Sequence, residues 1–364
     1  MPNAPGTRPE QAQPSDIHLG LLEALRSALR IHRPEYADAP LQVMADKGLA
    51  HHHVRLLGTG VIARLPKQSQ MGLDAQANLD YQAACFERAA ASSHAPALHG
   101  VLPPSVGLPR GGLLVEEIHG RAARLPHDLP AIARALAAIH GLPLPDAAQR
   151  APLRDPTDTL KALRDEIDAQ AVHLESAQLE PRSREVIAAA FARVDAATRT
   201  LALPRRCLIA FDAHPGNFLV RGDGRAVLVD LEKARYGEPP LDLAHATLYT
   251  STTWDVQSYA ELSVPQVTHA YEVWAHQFGD AAPWRPWFVP MRAAMWLWAA
   301  TWCAKWRALS GRQAKSGADG EDWSREHSAD ALVHHVRDRV ACYLSAYVIA
   351  EVDAELVALE RAFK

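Results

Sequence analysis

Residues 208–244 read LIAFDAHPGNFLVRGDGRAVLVDLEKARYGEPPLDLA, and this stretch decides the fold. Asp212 and Asn217 lie five apart in a loop stiffened by Pro215 and opened by Gly216. Two apolar runs, 218–220 and 226–229, flank Arg221-Gly222-Asp223-Gly224-Arg225, a pattern that predicts a hairpin. The hairpin folds the chain back and places Asp230 beside Asn217. One short ribbon thus gathers a carboxylate, an amide oxygen and a second carboxylate. Such hard oxygen donors suit Mg²⁺, which takes few protein ligands and shares the rest of its shell with phosphates and water. Asp212 stands slightly apart, placed to accept a proton from an attacking hydroxyl. A lone Asp-x-x-x-x-Asn is common in solvated Asx-rich turns. The hairpin and the apolar-flanked Asp230 that follow single this one out.

Working outward, the segment before this ribbon changes period twice. Residues 15–32 repeat Leu21, Leu22, Leu25, Ala28 and Leu29 at helical spacing, with Ser15 as the cap. LQVMA (41–45), HHHVRLL (51–57) and VIARLP (61–66) read as three short strands, the last two joined by Gly58-Thr59-Gly60. Residues 75–91 are helical, 92–110 read as a Pro-containing loop, and 111–120 give one more strand that leaves by Gly120. Helices are expected at 128–140, through most of 157–200, and from 255 to 364 apart from loops near 280–284 and 310–322. The expected class is α+β. A tail and N-terminal helix (1–35) precede a small antiparallel-sheet lobe (36–120, hinge near 116–120) and a large helical lobe (121–364).

Composition excludes several alternatives. The chain has 364 residues, 38 Lys and Arg against 42 Asp and Glu, and a net charge of −4. That balance argues against a basic nucleic-acid surface. The four cysteines are scattered and form no Cys-x-x-Cys pair, so no zinc ribbon is expected and reduced thiols in a cytoplasmic protein are. The opening MPNAPGTRPEQAQP reads as a loose tail. The apolar stretches 293–304 and 340–350 are too short to span a bilayer and read as buried helices. His51, His52 and His53 sit on a strand, where neighbours face opposite sides, so they cannot converge on one metal.

The motifs resemble those of the aminoglycoside phosphotransferase and choline kinase-like family, which shares the protein kinase-like fold. In that family the loop usually reads H-G-D-x-H-P-x-N, and here Ala210-Phe211-Asp212-Ala213-His214-Pro215-Gly216-Asn217. The family's second motif, an apolar run, I-D-[WF]-E and G-D-P-x-x-D-L-A, is matched by Val229-Asp230-Leu231-Glu232 and Gly237-Glu238-Pro239-Pro240-Leu241-Asp242-Leu243-Ala244. The resemblance covers roughly 40–250. It implies a kinase that transfers the γ-phosphate of ATP or GTP, with Mg²⁺, to a hydroxyl of a small molecule. Asp212 is then the catalytic base, Asn217 and Asp230 hold the metal, and Asp242 is structural. Glu232 either touches a second ion or is a surface charge. Ala210 replaces a histidine that buttresses the loop, which leaves a nucleotide-binding pseudokinase as the alternative.

The resemblance also places the nucleotide. Arg64 on the third strand is expected to pair with phosphates, with Lys67, beyond Pro66, competing. The usual glutamate partner on the following helix is replaced by Gln82, so either Asp80 substitutes or Arg64 is held by a neutral hydrogen bond. Gly48 marks a weak phosphate-covering loop. Glu116 and Ile118 are the hinge positions whose backbone would meet adenine. The acceptor is expected in the helical lobe, facing Asp212. There Trp298, Trp302 and Trp306 share one helix face, a pattern more typical of core than of a ligand stack. Residues 251–364 hold 11 Lys and Arg against 14 Asp and Glu, a weak excess for a polycationic acceptor.

Overall fold

The computed structural model describes residues 16–45, 50–67, 69, 71–310 and 330–364. The chain begins with helix α1 (Asp16–His32), followed by strands β1 (Leu41–Val43), β2 (His51–Leu56) and β3 (Val61–Pro66). Helix α2 (Ala75–Ala90), β4 (Leu98–Leu102) and β5 (Gly112–Glu116) complete an antiparallel sheet of order β1-β2-β3-β5-β4. β4 was not expected. It lies between Pro96 and Pro103, whose turn character masks a five-residue run that pairs with β5 across a register shift.

The two faces of the sheet are covered differently. Val54, Leu56, Val61, Ala63, Leu65 and Leu114 join Leu25 and Leu29 of α1 in one buried cluster. The helix that the sequence sets apart from the sheet is therefore part of its core. The opposite face meets α2, where Leu79, Cys85 and Phe86 belong to the larger cluster that continues into the helical half. Asp74 starts α2 by accepting the Ala77 amide at 2.8 Å.

Beyond β6 (Arg121–Ala122) come α3 (Leu129–His140), α4 (Thr159–Ala171) and α5 (Pro181–Thr200). β7 (Cys207–Ile209), β8 (Phe218–Val220), β9 (Ala226–Leu228) and β10 (Arg235–Gly237) carry the motif region. β8 and β9 form the expected hairpin, pairing Phe218 with Leu228 and Val220 with Ala226. Two pairings were not expected: β6 edges the hairpin, and β10 returns antiparallel to β7. Strands of two or three residues carry no readable alternation, so only the tertiary context reveals them.

The remainder is helical: α6 (Pro239–Thr247), α7 (Tyr249–Thr252), α8 (Val264–Phe278), α9 (Phe288–Leu309), α10 (Asp330–Tyr343) and α11 (Ala346–Ala362). α9 contains the apolar stretch 293–304 and is buried against α4, α5 and α6. Stretch 340–350 is not one helix. It spans the break between α10 and α11, where Ser345 caps α11 by accepting the Val348 amide. The expected loop at 310–322 falls almost wholly outside the described residues. No helix among them is long and apolar enough to cross a membrane.

Candidate active site

The sheet half reaches the ribbon through one side chain. Arg64, on β3, donates from Nη2 to Asp230 Oδ1 at 2.8 Å and from Nη1 to the Val229 carbonyl at 3.0 Å. Its guanidinium lies 5.4 Å from the Phe86 ring centroid on α2. Only 5% of the side chain is exposed, and Nε is buried without a hydrogen-bond partner among the described residues. Burial alone would raise the Asp230 carboxyl, but Arg64, together with His51 and His53, outweighs it and holds Asp230 well below the usual range.

The expected partners of Arg64 are elsewhere. Gln82 Oε1 lies 3.0 Å from His51 Nε2, and exposed Asp80 accepts the Gln76 side-chain amide one turn away. Neither replaces the missing glutamate, because Asp230 itself supplies the counter-charge. Lys67 follows the end of β3, where its backbone amide bonds the Ala50 carbonyl. Gly48 lies outside the described residues. At the hinge, Glu116 gives its own amide to the Ala97 carbonyl, and its carboxylate takes Arg221 at 2.5 Å. That amide is spent within the fold, and Ile118 is buried.

Glu232 is no surface charge. It is buried, with Oε2 at 3.7 Å from Nδ1 of equally buried His51. Burial first, and the neighbouring Asp230 second, push its carboxyl up to about 8. His51 is itself pushed below the ordinary histidine range by burial and by Arg64. The histidine run thus sends its first member inward to Gln82 and Glu232.

The hairpin brings the two halves of the oxygen set together as expected. The Val229 amide bonds the Asn217 carbonyl at 2.9 Å, directly beside Asp230. Asn217 spends its side-chain nitrogen on the Asp212 carbonyl at 2.9 Å, so its oxygen is the atom available to a ligand. An amide oxygen and a strongly ionised carboxylate fit Mg²⁺ completed by phosphates and water. Among the described residues no cluster of three or more His, Cys, Asp or Glu forms a self-sufficient metal site.

Asp212 faces the helical half. Lys233 Nζ lies 2.7 Å from its Oδ2, and His245 Nδ1 lies 3.8 Å from its Oδ1. Burial would raise this carboxyl, but Lys233, His214 and His245 together hold it below the usual range. Lys233 also sits 5.6 Å from the Trp298 ring centroid. Lys233 and His245 were not singled out in the sequence. For Lys233 a signal exists: a cation three residues past Asp230 and directly after Glu232. The Trp298, Trp302 and Trp306 ladder divides, Trp306 being buried and the other two half-buried.

The loop is held from behind. Asp242 accepts the Ala210 amide at 2.7 Å and the Phe211 amide at 2.8 Å. His140 Nε2 lies 3.0 Å from Asp242, and Trp274 Nε1 donates to His140 Nδ1 at 3.0 Å. Because the indole can only donate, His140 must donate from Nε2. Loss of the usual histidine at Ala210 therefore leaves a loop with its own firm support. Phe211 stands where the family pattern has glycine, and it adopts φ +61°, a left-handed geometry that costs about 1–3 kcal/mol for such a residue. Its ring is fixed between Trp298, edge-on at 5.3 Å, and the Arg235 guanidinium at 3.6 Å. These contacts and the paired Asp242 bonds offset the strain.

Comparison with known proteins identifies the family. Residues 23–287 match the profile of the phosphotransferase enzyme family, APH. The chain belongs to that family. Among solved structures, a choline/ethanolamine kinase family protein from Mesorhizobium loti is 18% identical, with a TM-score of 0.57 over 92% of this chain and 99% of that one. A Plasmodium vivax ethanolamine kinase is 13% identical, with a TM-score of 0.59 over 92% and 90%. A spectinomycin phosphotransferase solved with ADP and spectinomycin is 11% identical, with a TM-score of 0.59 over 92% and 98%. No curated protein matches in sequence. At these identities the structures show a shared fold: bilobal, protein kinase-like, with a small sheet lobe and a large helical lobe. The family makes the chain a phosphotransferase of the small-molecule kinase kind.

Proposed function

We propose that the protein transfers the γ-phosphate of ATP or GTP to a hydroxyl group of a small molecule. The observation that carries this reading is the convergence of Arg64 from the sheet half onto Asp230, with Asn217 beside it on the same ribbon and Asp212 beyond. Asn217 and Asp230 would hold Mg²⁺, which supplies charge neutralisation at the phosphates. Arg64, already buried and aimed, is positioned to share its remaining hydrogen-bonding capacity with a phosphate oxygen. Asp212 orients the acceptor hydroxyl. The acceptor oxygen bonds to the γ-phosphorus, the bond to the bridging oxygen breaks, the nucleoside diphosphate leaves with that electron pair, and the hydroxyl proton passes to Asp212. A carboxylate held below its usual range is a weak base, which suits a loose transition state that releases its proton late.

The test measures thermal stabilisation by ATP with and without Mg²⁺, alongside ADP release with hydroxyl acceptors. Mg²⁺-dependent stabilisation that is lost in Asp230→Ala, together with acceptor-dependent ADP release, is the expected result. Equal Mg²⁺-dependent shifts in the two proteins would remove the metal assignment. Stabilisation without turnover of any acceptor would favour a nucleotide-binding pseudoenzyme.

A further inference from the structure

The acceptor side of Asp212 has an unusual charge pattern. A site for a cation offers carboxylates or bare aromatic faces. Here the Asp212 carboxylate already has an ammonium at 2.7 Å, and that same ammonium, Lys233 Nζ, lies over the Trp298 ring. Both features that would draw a cation are served from within the chain. His245, which packs edge-on against Trp298 at 6.4 Å, is kept neutral by burial, its pKa lowered to about 4. Asp255 packs against Gly216 and accepts the Gln257 amide at 3.1 Å, so one oxygen of this second carboxylate is engaged within the chain.

What remains unsatisfied is neutral. His245 is 7% exposed, and its Nδ1, the atom 3.8 Å from Asp212, has no hydrogen-bond partner among the described residues. The same is true of Trp298 Nε1 and of the buried Thr252 hydroxyl on α7, which packs on the Pro215–Asn217 turn. Buried polar atoms without partners are rare and call for a ligand or water. An aromatic surface continues one helical turn along α9, where Trp302 meets Trp254 edge-on at 5.9 Å.

Resting on the kinase reading above, we propose that the acceptor is an uncharged ring compound bearing several hydroxyls, such as a sugar or cyclitol, held between Asp212 and the Nε1 edge of Trp298, and that Lys233 excludes cationic acceptors. The indole N–H donates to one ring hydroxyl, while neutral imidazole and hydroxyl groups exchange hydrogen bonds with the others. A polycation or quaternary ammonium would have to displace Lys233 from both of its contacts. Specificity is then set by a repulsive element as well as an attractive one.

The experiment uses the full chain with MgATP and follows ADP release. Two acceptor sets are compared: uncharged ring polyols (myo-inositol, simple methyl glycosides, a neutral glycosylated lactone) and cations (kanamycin, choline). The best uncharged acceptor is expected to exceed the best cation in kcat/KM by about tenfold or more. In Lys233→Gln that ratio should fall at least about threefold, whatever the absolute rates, because each acceptor is compared within the same variant. Trp298→Leu, which keeps an apolar filling, should raise acceptor KM while leaving nucleotide KM unchanged. A cation used as well as or better than every uncharged acceptor overturns the proposal, and so does an unchanged ratio in Lys233→Gln. MgATP stabilisation without turnover of any uncharged acceptor overturns the acceptor class and leaves nucleotide binding standing. Absence of MgATP binding removes the kinase reading and this inference with it.

Discussion

Asp230 and Asp212 are both partly buried carboxylates paired with one cation, yet the two pairs are built differently. Arg64 comes from the sheet half, 166 residues away in sequence, and grips both a backbone carbonyl and the carboxylate while an aromatic ring covers it. Lys233 comes from the same ribbon, three residues past Asp230, and holds Asp212 by one contact on a flexible stem. The first pair is a planar fork anchored at two points, the second a point charge on a tether. The difference teaches that the Arg64–Asp230 pair, the nucleotide side in the proposed function, is fixed by the fold, whereas the Lys233–Asp212 pair, its acceptor side, can be retuned by single side chains.

The largest expected effect breaks the acceptor side of this comparison. Asp212→Asn is isosteric and leaves no cavity. Turnover should fall by about 10²–10⁴, with MgATP binding nearly unchanged and a lower melting temperature, since Lys233 loses its counter-charge. Steady-state rates and a thermal melt check it, and near-full activity in the folded variant would move the base elsewhere.

Next, Arg64→Ala should strike the nucleotide side. It strands Asp230 without its partner, and removing one member of a buried pair costs about 3–5 kcal/mol, an upper range here because 29% of the Asp230 side chain is exposed. Nucleotide KM should rise more than in Lys67→Ala, since Lys67 lies past the strand. Should Lys67→Ala prove the more damaging, the two-point anchor is not what positions the phosphates.

Asp242→Ala tests whether the loop behind both carboxylates is a single support. Three polar groups lose a wholly buried partner, and about 2–4 kcal/mol of stability should go. Denaturant unfolding measures the loss, and kcat should fall along with it.

The smallest effect is a pH slope away from both pairs. Glu238 opens α6, is 1% exposed, and accepts the Thr159 hydroxyl. Burial pushes its carboxyl up to about 7 from an ordinary 4.5. The folded state therefore holds a proton that the unfolded chain releases. This contribution is fully present below about pH 4.5 and is lost as pH rises to about 7, above which it is flat. Glu238→Gln, which keeps the Thr159 contact, should flatten the stability curve by up to about 2–3 kcal/mol between pH 5 and 8. Urea midpoints at the two pH values decide it, and an unchanged slope would assign the dependence to other groups.

The parts legible in the sequence share a physical basis. The hairpin at 218–229 announces itself by apolar runs around a glycine-rich turn, and Arg64 by its place inside a strand pattern. Gln82 misled because helix position predicts which way a side chain points, but not that Asp230 would take the partner's role. Phe211 was passed over because a positive φ leaves no mark in composition, and only the comparison with glycine in the family pattern could have flagged it. β6, β7 and β10 are too short to show period two, and the prolines around β4 hid it. The Trp298 ladder could not be divided between core and site until α9 was oriented, since identical spacing serves both.

The line from Trp274 through His140 and Asp242 to the amides of Ala210 and Phe211 has a direction. Indole can only give a proton and an ionised carboxylate can only receive, so the imidazole between them has one admissible form. No member can change alone without leaving a neighbour buried and unanswered. The backbone leading into Asp212 is thereby fixed by three buried side chains of α3, α6 and α8, so its position does not depend on the side chains beside the Asp212 carboxylate.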